Sequence, residues 1–94
     1  MFILSLTYLV PLDQVDRHVE PHLAWVAEGY DRGYFLASGR KEPRTGGVIL
    51  ARGPLAELEA LTAQDPFVLA GVARYEFTSI LVSRTAPGLE ALKG

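Results

Sequence analysis

Apolar and polar positions change period several times along the chain, and the changes mark its elements. Residues 2–10 alternate between two mostly apolar faces, Phe2, Leu4, Leu6, Tyr8 and Val10 on one and Ile3, Ser5, Thr7 and Leu9 on the other. That pattern predicts a central strand covered on both sides. It stops at Pro11, which has no N–H for a ladder. Val15, Val19, His22, Val26 and Tyr30 then recur at helical spacing, with Leu23 beside them. Pro21 inside one long helix would cost about 3 kcal/mol. The chain therefore either kinks or makes a short turn followed by a main helix that starts near residue 20, with Pro21 in its first turn. Gly33 supplies the left-handed stop.

The second half repeats the scheme. Residues 34–41 predict a strand, Gly46-Gly47 the positive-φ part of a hairpin turn, and 48–52 a short third strand. Gly53-Pro54 opens a second helix with Leu55, Leu58, Leu61 and Thr62 facing inward. Pro66 drives Asp65 out of the α region and ends that helix by Gln64. Residues 67–71 make a short apolar turn or a single helical turn, and 72–83 the last strand. The order β-α-β-β-α-β predicts an α+β, ferredoxin-like split βαβ fold: a four-stranded antiparallel sheet with two helices on one face. All 94 residues form a single domain, with 86–94 as a C-terminal tail.

Two helices cover one sheet face only. Phe77, Ile80 or Leu81, together with strand one, would leave the other face apolar, and the chain is 49% hydrophobic. The expected remedy is a homodimer through the sheet face that encloses a barrel-like interior. The net charge of −2, with scattered Lys and Arg, offers no field for nucleic acid or an anionic membrane. Only Arg40, Lys41 and Arg44 lie close together, in a loop that could meet an anionic substrate but reads first as solvated charge. The absence of cysteine excludes disulfides and thiolate chemistry and fits a cytoplasmic protein. The apolar start lacks a basic n-region and ends well short of membrane-spanning length.

His22 is the residue on the helical stripe that hydrophobicity does not explain. Taken alone, an inward histidine is more often a core residue satisfied by a backbone carbonyl. Asp65 changes the weighing. Its charge opposes the dipole at the end of the second helix, which this topology sets beside the first, so it needs another partner. An Asp–imidazole bond would set the tautomer and leave the other nitrogen free for general acid–base work near neutral pH. His18 and His22 are four apart, but no third ligand accompanies them and no metal site is expected. Ser38-Gly39 ends strand two, where a missing side chain lets a ligand approach the backbone. No nucleophile elbow surrounds Ser38, and Gly46-Gly47 is not followed by the Lys-Ser/Thr of a phosphate loop.

His-Leu-Ala at 22–24, Gly-Tyr-Phe-Leu-Ala-Ser-Gly at 33–39, Gly-Gly-Val-Ile-Leu-Ala at 46–51 and Asp-Pro-Phe at 65–67 occur in this order. Ala-Gly-Val-Ala-Arg-Tyr-Glu follows at 70–76. Together they resemble the YciI-like (YCII-related) family over about residues 1–83. The resemblance implies a dimeric α+β barrel related to muconolactone isomerases. It also implies His22 and Asp65 as a catalytic dyad, and Ser38 and Gly39 as substrate-binding residues that shape the pocket. Relatives often carry proline where this chain has Arg40, which makes the rim more basic here. They often carry arginine where this chain has Val19. The implied function is general acid–base chemistry on a small ring or lactone-like compound, without metal or organic cofactor: isomerisation, lyase or dehalogenase-like elimination, or hydrolysis. The alternative is a non-catalytic module that binds a small ligand or another protein, with the pair serving as a structural bond.

Overall fold

In a computed structural model that describes residues 1–93, four antiparallel strands lie in the order β2-β3-β1-β4. The strands are β1 (Phe2–Tyr8), β2 (Phe35–Arg40), β3 (Gly46–Ala51) and β4 (Ala73–Ser79). The helices are α1 (Leu12–Asp16), α2 (Val19–Asp31), α3 (Leu55–Thr62) and the single turn α4 (Pro66–Leu69). This is the ferredoxin-like α+β arrangement. β1 sits centrally between β3 and β4, as its two apolar faces imply. Its register pairs Leu4 with Ile49 and Phe77, and Leu6 with Tyr75, so these side chains share the face beneath the helices.

The core has two lobes. One gathers Leu4, Trp25, Phe35, Ile49, Leu58 and Leu61, and the other Leu6, Val15, Phe67, Val72 and Ala73. Tyr75 packs against both. The indole N–H of Trp25 donates to the Leu61 carbonyl at 3.1 Å, which ties α2 to α3 and satisfies a buried donor. No helix among the described residues is long and apolar enough to cross a membrane.

Pro21 is accommodated by the second of the two expected solutions. α1 and α2 are separate helices, and Pro21 lies in the first turn of α2, where no intrahelical N–H bond is lost. Gly33 ends α2 at φ 80°, and the Tyr34 N–H bonds back to the Gly29 carbonyl.

Several expectations need correction. Leu23 and Tyr30 are exposed, and the inward face of α2 runs instead through His22, Trp25 and Gly29. Gly29 takes that place because a Cβ there would lie 2.1 Å from the Phe35 ring. Leu55 is also exposed, since it opens α3 before that helix reaches the sheet. Gly46 and Gly47 do not make the turn: both are in β3 without positive φ. Gly46 is required for close approach, because a Cβ would meet the Leu6 carbonyl oxygen at 1.8 Å. β4 ends at Ser79, four residues early. Phe77 points into the core, and Arg74, Glu76 and Thr78 occupy the β4 side of the open face beside Ile3 and Leu50. The apolar part of that face is therefore smaller than the composition suggested.

Candidate active site

His22 lies one turn into α2, at the seam between the two core lobes. Its ring stacks on Phe67 with centroids 3.9 Å apart and planes 11° apart, and on Trp25 at 5.9 Å. Asp65 approaches from the α3–α4 junction. Its side chain is fully buried, and His22 retains 14% exposure. The imidazole Nδ1 is 2.8 Å from Asp65 Oδ1.

Two further donors converge on the same carboxylate. The Phe67 backbone N–H donates to Oδ1 at 2.9 Å, and the Tyr75 hydroxyl donates to Oδ2 at 2.5 Å. A buried carboxylate is tolerated only when its lone pairs are taken up, and three donors do this here. Asp65 is the N-cap of α4, with Pro66 immediately after it. An aspartate badly placed for the end of α3 is thus well placed for the start of the next helical turn, where its charge suits the dipole. Burial, and then the negative Asp65, push the Tyr75 phenol well above the usual tyrosine range. Tyr75 remains a donor at all physiological pH values.

Because Asp65 accepts from Nδ1, the proton of a neutral His22 ring sits on Nδ1, and Nε2 is the nitrogen left with a free lone pair. Nε2 can take a proton and return it, and Asp65 offsets the charge that appears on the ring. Asp65 acts from behind: it is absent from the walls of the adjoining cavity, whereas His22, Phe67 and Tyr75 line it.

That cavity holds about 140 Å3 and has mostly apolar walls, including Leu6, Val19, Leu23 and Val26. An apolar cavity of about 150 Å3 accepts benzene. The space is therefore that of one six-membered ring. Ser38 and Gly39 line it from β2. The Ser38 hydroxyl is 2.7 Å from the Tyr30 hydroxyl, and a side chain at Gly39 would meet no atom within 4 Å. The structure thus brings His22, Ser38 and Gly39 to one cavity, with Asp65 supporting the first. His18 is the N-cap residue of α2 and makes no capping bond. No group of three or more potential metal-ligating side chains is clustered among the described residues.

Two residues escaped the sequence reading, and a third was read first as solvated loop charge. Tyr75 and Phe67 complete the setting of Asp65 and His22, and Arg44 reaches the cavity from the β2–β3 hairpin. Tyr75 could have been found from strand phase, since it alternates with Ala73 and Phe77 on the inward side of β4. Phe67 lies in the single helical turn α4 and Arg44 in the β2–β3 hairpin, both too short for periodicity to carry a signal.

Fold and site define a class: a ferredoxin-like α+β domain in which a buried carboxylate orients an imidazole beside a ring-sized apolar cavity. The chain belongs to the YCII-related domain family, whose model matches residues 1–80. Among solved structures it is similar to 5-chloro-2-hydroxyhydroquinone dehydrochlorinase (TftG) from Burkholderia phenoliruptrix AC1100, in complex with 2,5-dihydroxybenzoquinone. The TM-score is 0.70 at 17% identity, over 85% of this chain and 93% of that one. At that identity the likeness shows the fold alone. Comparison with curated protein sequences gives no match.

Proposed function

We propose that this protein is a small-molecule enzyme that moves protons on a single-ring or lactone-like substrate. His22 serves as general acid and base, and Asp65 orients it. The observation that carries this reading is the imidazole with Nδ1 committed to a fully buried carboxylate and its ring lining a cavity of about 140 Å3. In the proposed step, Nε2 removes a proton from a ring carbon or hydroxyl, and the electron pair left behind moves into the ring. In an isomerisation the imidazolium returns that proton at another atom. In an elimination the same pair expels a leaving group, which departs as an anion. The similar dehydrochlorinase, whose ligand is one oxygenated ring, supports elimination on such a ring as the first case to test. Hydrolysis would use the same base on a water molecule. Ser38 and Gly39 form a wall for the substrate rather than reacting groups.

A homodimer through the open sheet face belongs to the proposal, supported by Ile3 and Leu50 on that face and by the high apolar content. Analytical ultracentrifugation should give a dimer at micromolar concentration, and a monomer would end this part.

One observation favours a second reading. Asp65 already has a structural task as the α4 cap, so its bond to His22 could be structural too, in a non-catalytic binding module. The discriminating experiment screens small phenolic, carboxylic and lactone compounds by thermal shift and then tests stabilising compounds for turnover by wild type and His22→Ala. Acid–base catalysis predicts a loss of about 100-fold or more in the variant. Turnover equal in the two proteins, or no turnover of any stabilising compound, sinks the catalytic reading.

A further inference from the structure

The cavity walls carry two cations, Arg40 and Arg44, and no carboxylate. The two arginines are held differently. Arg40 is exposed at the end of β2. Arg44 is fastened: a terminal guanidinium nitrogen donates to Asp16 at 2.6 Å, and the guanidinium carbon lies 5.8 Å from the centre of the Tyr8 ring. The hairpin that carries it is itself fixed, since the Tyr8 N–H bonds to the Thr45 carbonyl at 2.9 Å and the Lys41 N–H to the Gly46 carbonyl at 3.0 Å. Within this held side chain, Nε is buried and has no hydrogen-bond partner among the described residues. A donor without accessible surface is beyond a ligand's reach, which leaves Nη1, unbonded among the described residues, as the guanidinium donor open to one.

Electrostatics narrow the acceptor. Asp16 matches the charge of Arg44, which leaves Arg40 as a cation outside the ion pairs among the described residues. The negative charge nearest the opposite wall, on Asp65, sits behind the imidazole and is engaged by three donors. Val19 gives only apolar surface, so the cationic wall comes entirely from β2 and the β2–β3 hairpin. An anionic oxygen takes such a donor more strongly than a neutral one does, and a preorganised guanidinium loses little freedom in offering it.

We propose that the cavity selects single rings bearing an oxyanion, either a ring phenolate or enolate or an attached carboxylate, and that Arg44 is the residue that determines this selectivity. The inference rests on the proposed function for its site but concerns recognition rather than turnover. It places the ring between a fixed cation and the His22 base. Arg44 would bind the charged oxygen while His22 works at another ring atom, and Arg40 would add a weaker, screened attraction at the mouth.

Isothermal titration with isosteric pairs tests it: benzoate against benzamide, and 4-nitrophenolate against 4-nitroaniline, at about pH 8 and about 0.15 M salt. Wild type should bind at least one anion about tenfold or more tighter than its neutral isostere. Arg44→Gln should bring that ratio close to one, and Arg44→Lys should keep part of it. Arg40→Gln should lower it by less than threefold, an effect that about 0.5 M salt abolishes. His22→Ala should leave the ratio nearly unchanged, so loss of turnover and loss of charge preference remain separate outcomes. Circular dichroism checks that each variant is folded, and Arg44→Lys carries the test if Arg44→Gln is not. Equal binding of anion and isostere, a ratio unaltered by Arg44→Gln, or no binding of any of the four rings to wild type would overturn the proposal.

Discussion

Asp65→Ala should cost about 3–4 kcal/mol of folding stability, more than any surface substitution in the chain, because the carboxylate holds three donors at once. The Phe67 N–H cannot turn to another acceptor, and a buried donor left unmade costs about 1–3 kcal/mol, which includes the lost N-cap. The Tyr75 hydroxyl can rotate but stays half-buried, which adds about 1 kcal/mol. His22 adds least, since its proton can move to Nε2. A 94-residue domain has a total of about 5–14 kcal/mol, so the loss is a large share. Asp65→Asn keeps one acceptor oxygen and should cost about half as much. Tyr75→Phe alone should cost about 1–1.5 kcal/mol, yet almost nothing once Asp65 is alanine, a coupling of about 1 kcal/mol or more. Urea unfolding followed by far-UV circular dichroism at fixed protein concentration measures all four corners of the cycle. An Asp65→Ala variant within about 0.5 kcal/mol of wild type, or strictly additive effects of the two substitutions, would refute the view that the carboxylate is the hub of this network.

Other outcomes follow from the same geometry. The fold favours the neutral Tyr75 phenol, whose pKa is raised from the usual 10.0, so the unfolded chain gives up this proton first. Its contribution is intact below about pH 10 and falls by about 1.4 kcal/mol per pH unit above it. Tyr75→Phe should therefore lose less stability than wild type between about pH 10 and 11, and parallel losses in urea midpoints would contradict this. Gly46→Ala forces a Cβ against the Leu6 carbonyl and should cost about 3 kcal/mol or more, whereas Gly39→Ala, with open space around it, should leave the melting temperature nearly unchanged. The same Gly39→Ala narrows the cavity, so ligands that stabilise wild type should bind it less well, and equal binding would remove Gly39 from the proposed substrate wall. Trp25→Phe removes the indole donor to the Leu61 carbonyl, which keeps the Gln64 N–H, and should cost about 0.5–1.5 kcal/mol in a thermal or urea melt.

The fold was legible because its strands and helices each bury a face with a fixed period, and glycines and prolines punctuate them. Gly33 and Pro21 act as local chemistry requires. Periodicity misjudged residues whose inward place depends on a partner's shape. Gly29 faces in only because Phe35 fills the space, and Gly46 reads as a turn residue until β1 is laid against it.

His22 and Asp65 could be paired from sequence because topology sets their elements together, but the physical reason offered for Asp65 was incomplete. An aspartate at the C-terminus of α3 is unfavourable only if the chain stops there. With Pro66 next, the backbone turns into α4, and the same carboxylate becomes a favourable cap whose free lone pairs face His22 and Tyr75. The proline therefore does more than end one helix: by starting the next it aims the carboxylate. The Phe67 ring that follows forms the surface on which the imidazole lies. Three consecutive residues, Asp65, Pro66 and Phe67, thus fix the tautomer, the approach and the plane of His22, so substitutions at Phe67 should disturb ligand binding as well as the core. Phe67→Leu keeps the apolar burial but removes the flat face. It should loosen the imidazole, seen as broadened or doubled His22 ring signals by NMR, while costing only about 1–1.5 kcal/mol in stability. Sharp, unshifted His22 signals in that variant would show that Asp65 alone orients the ring.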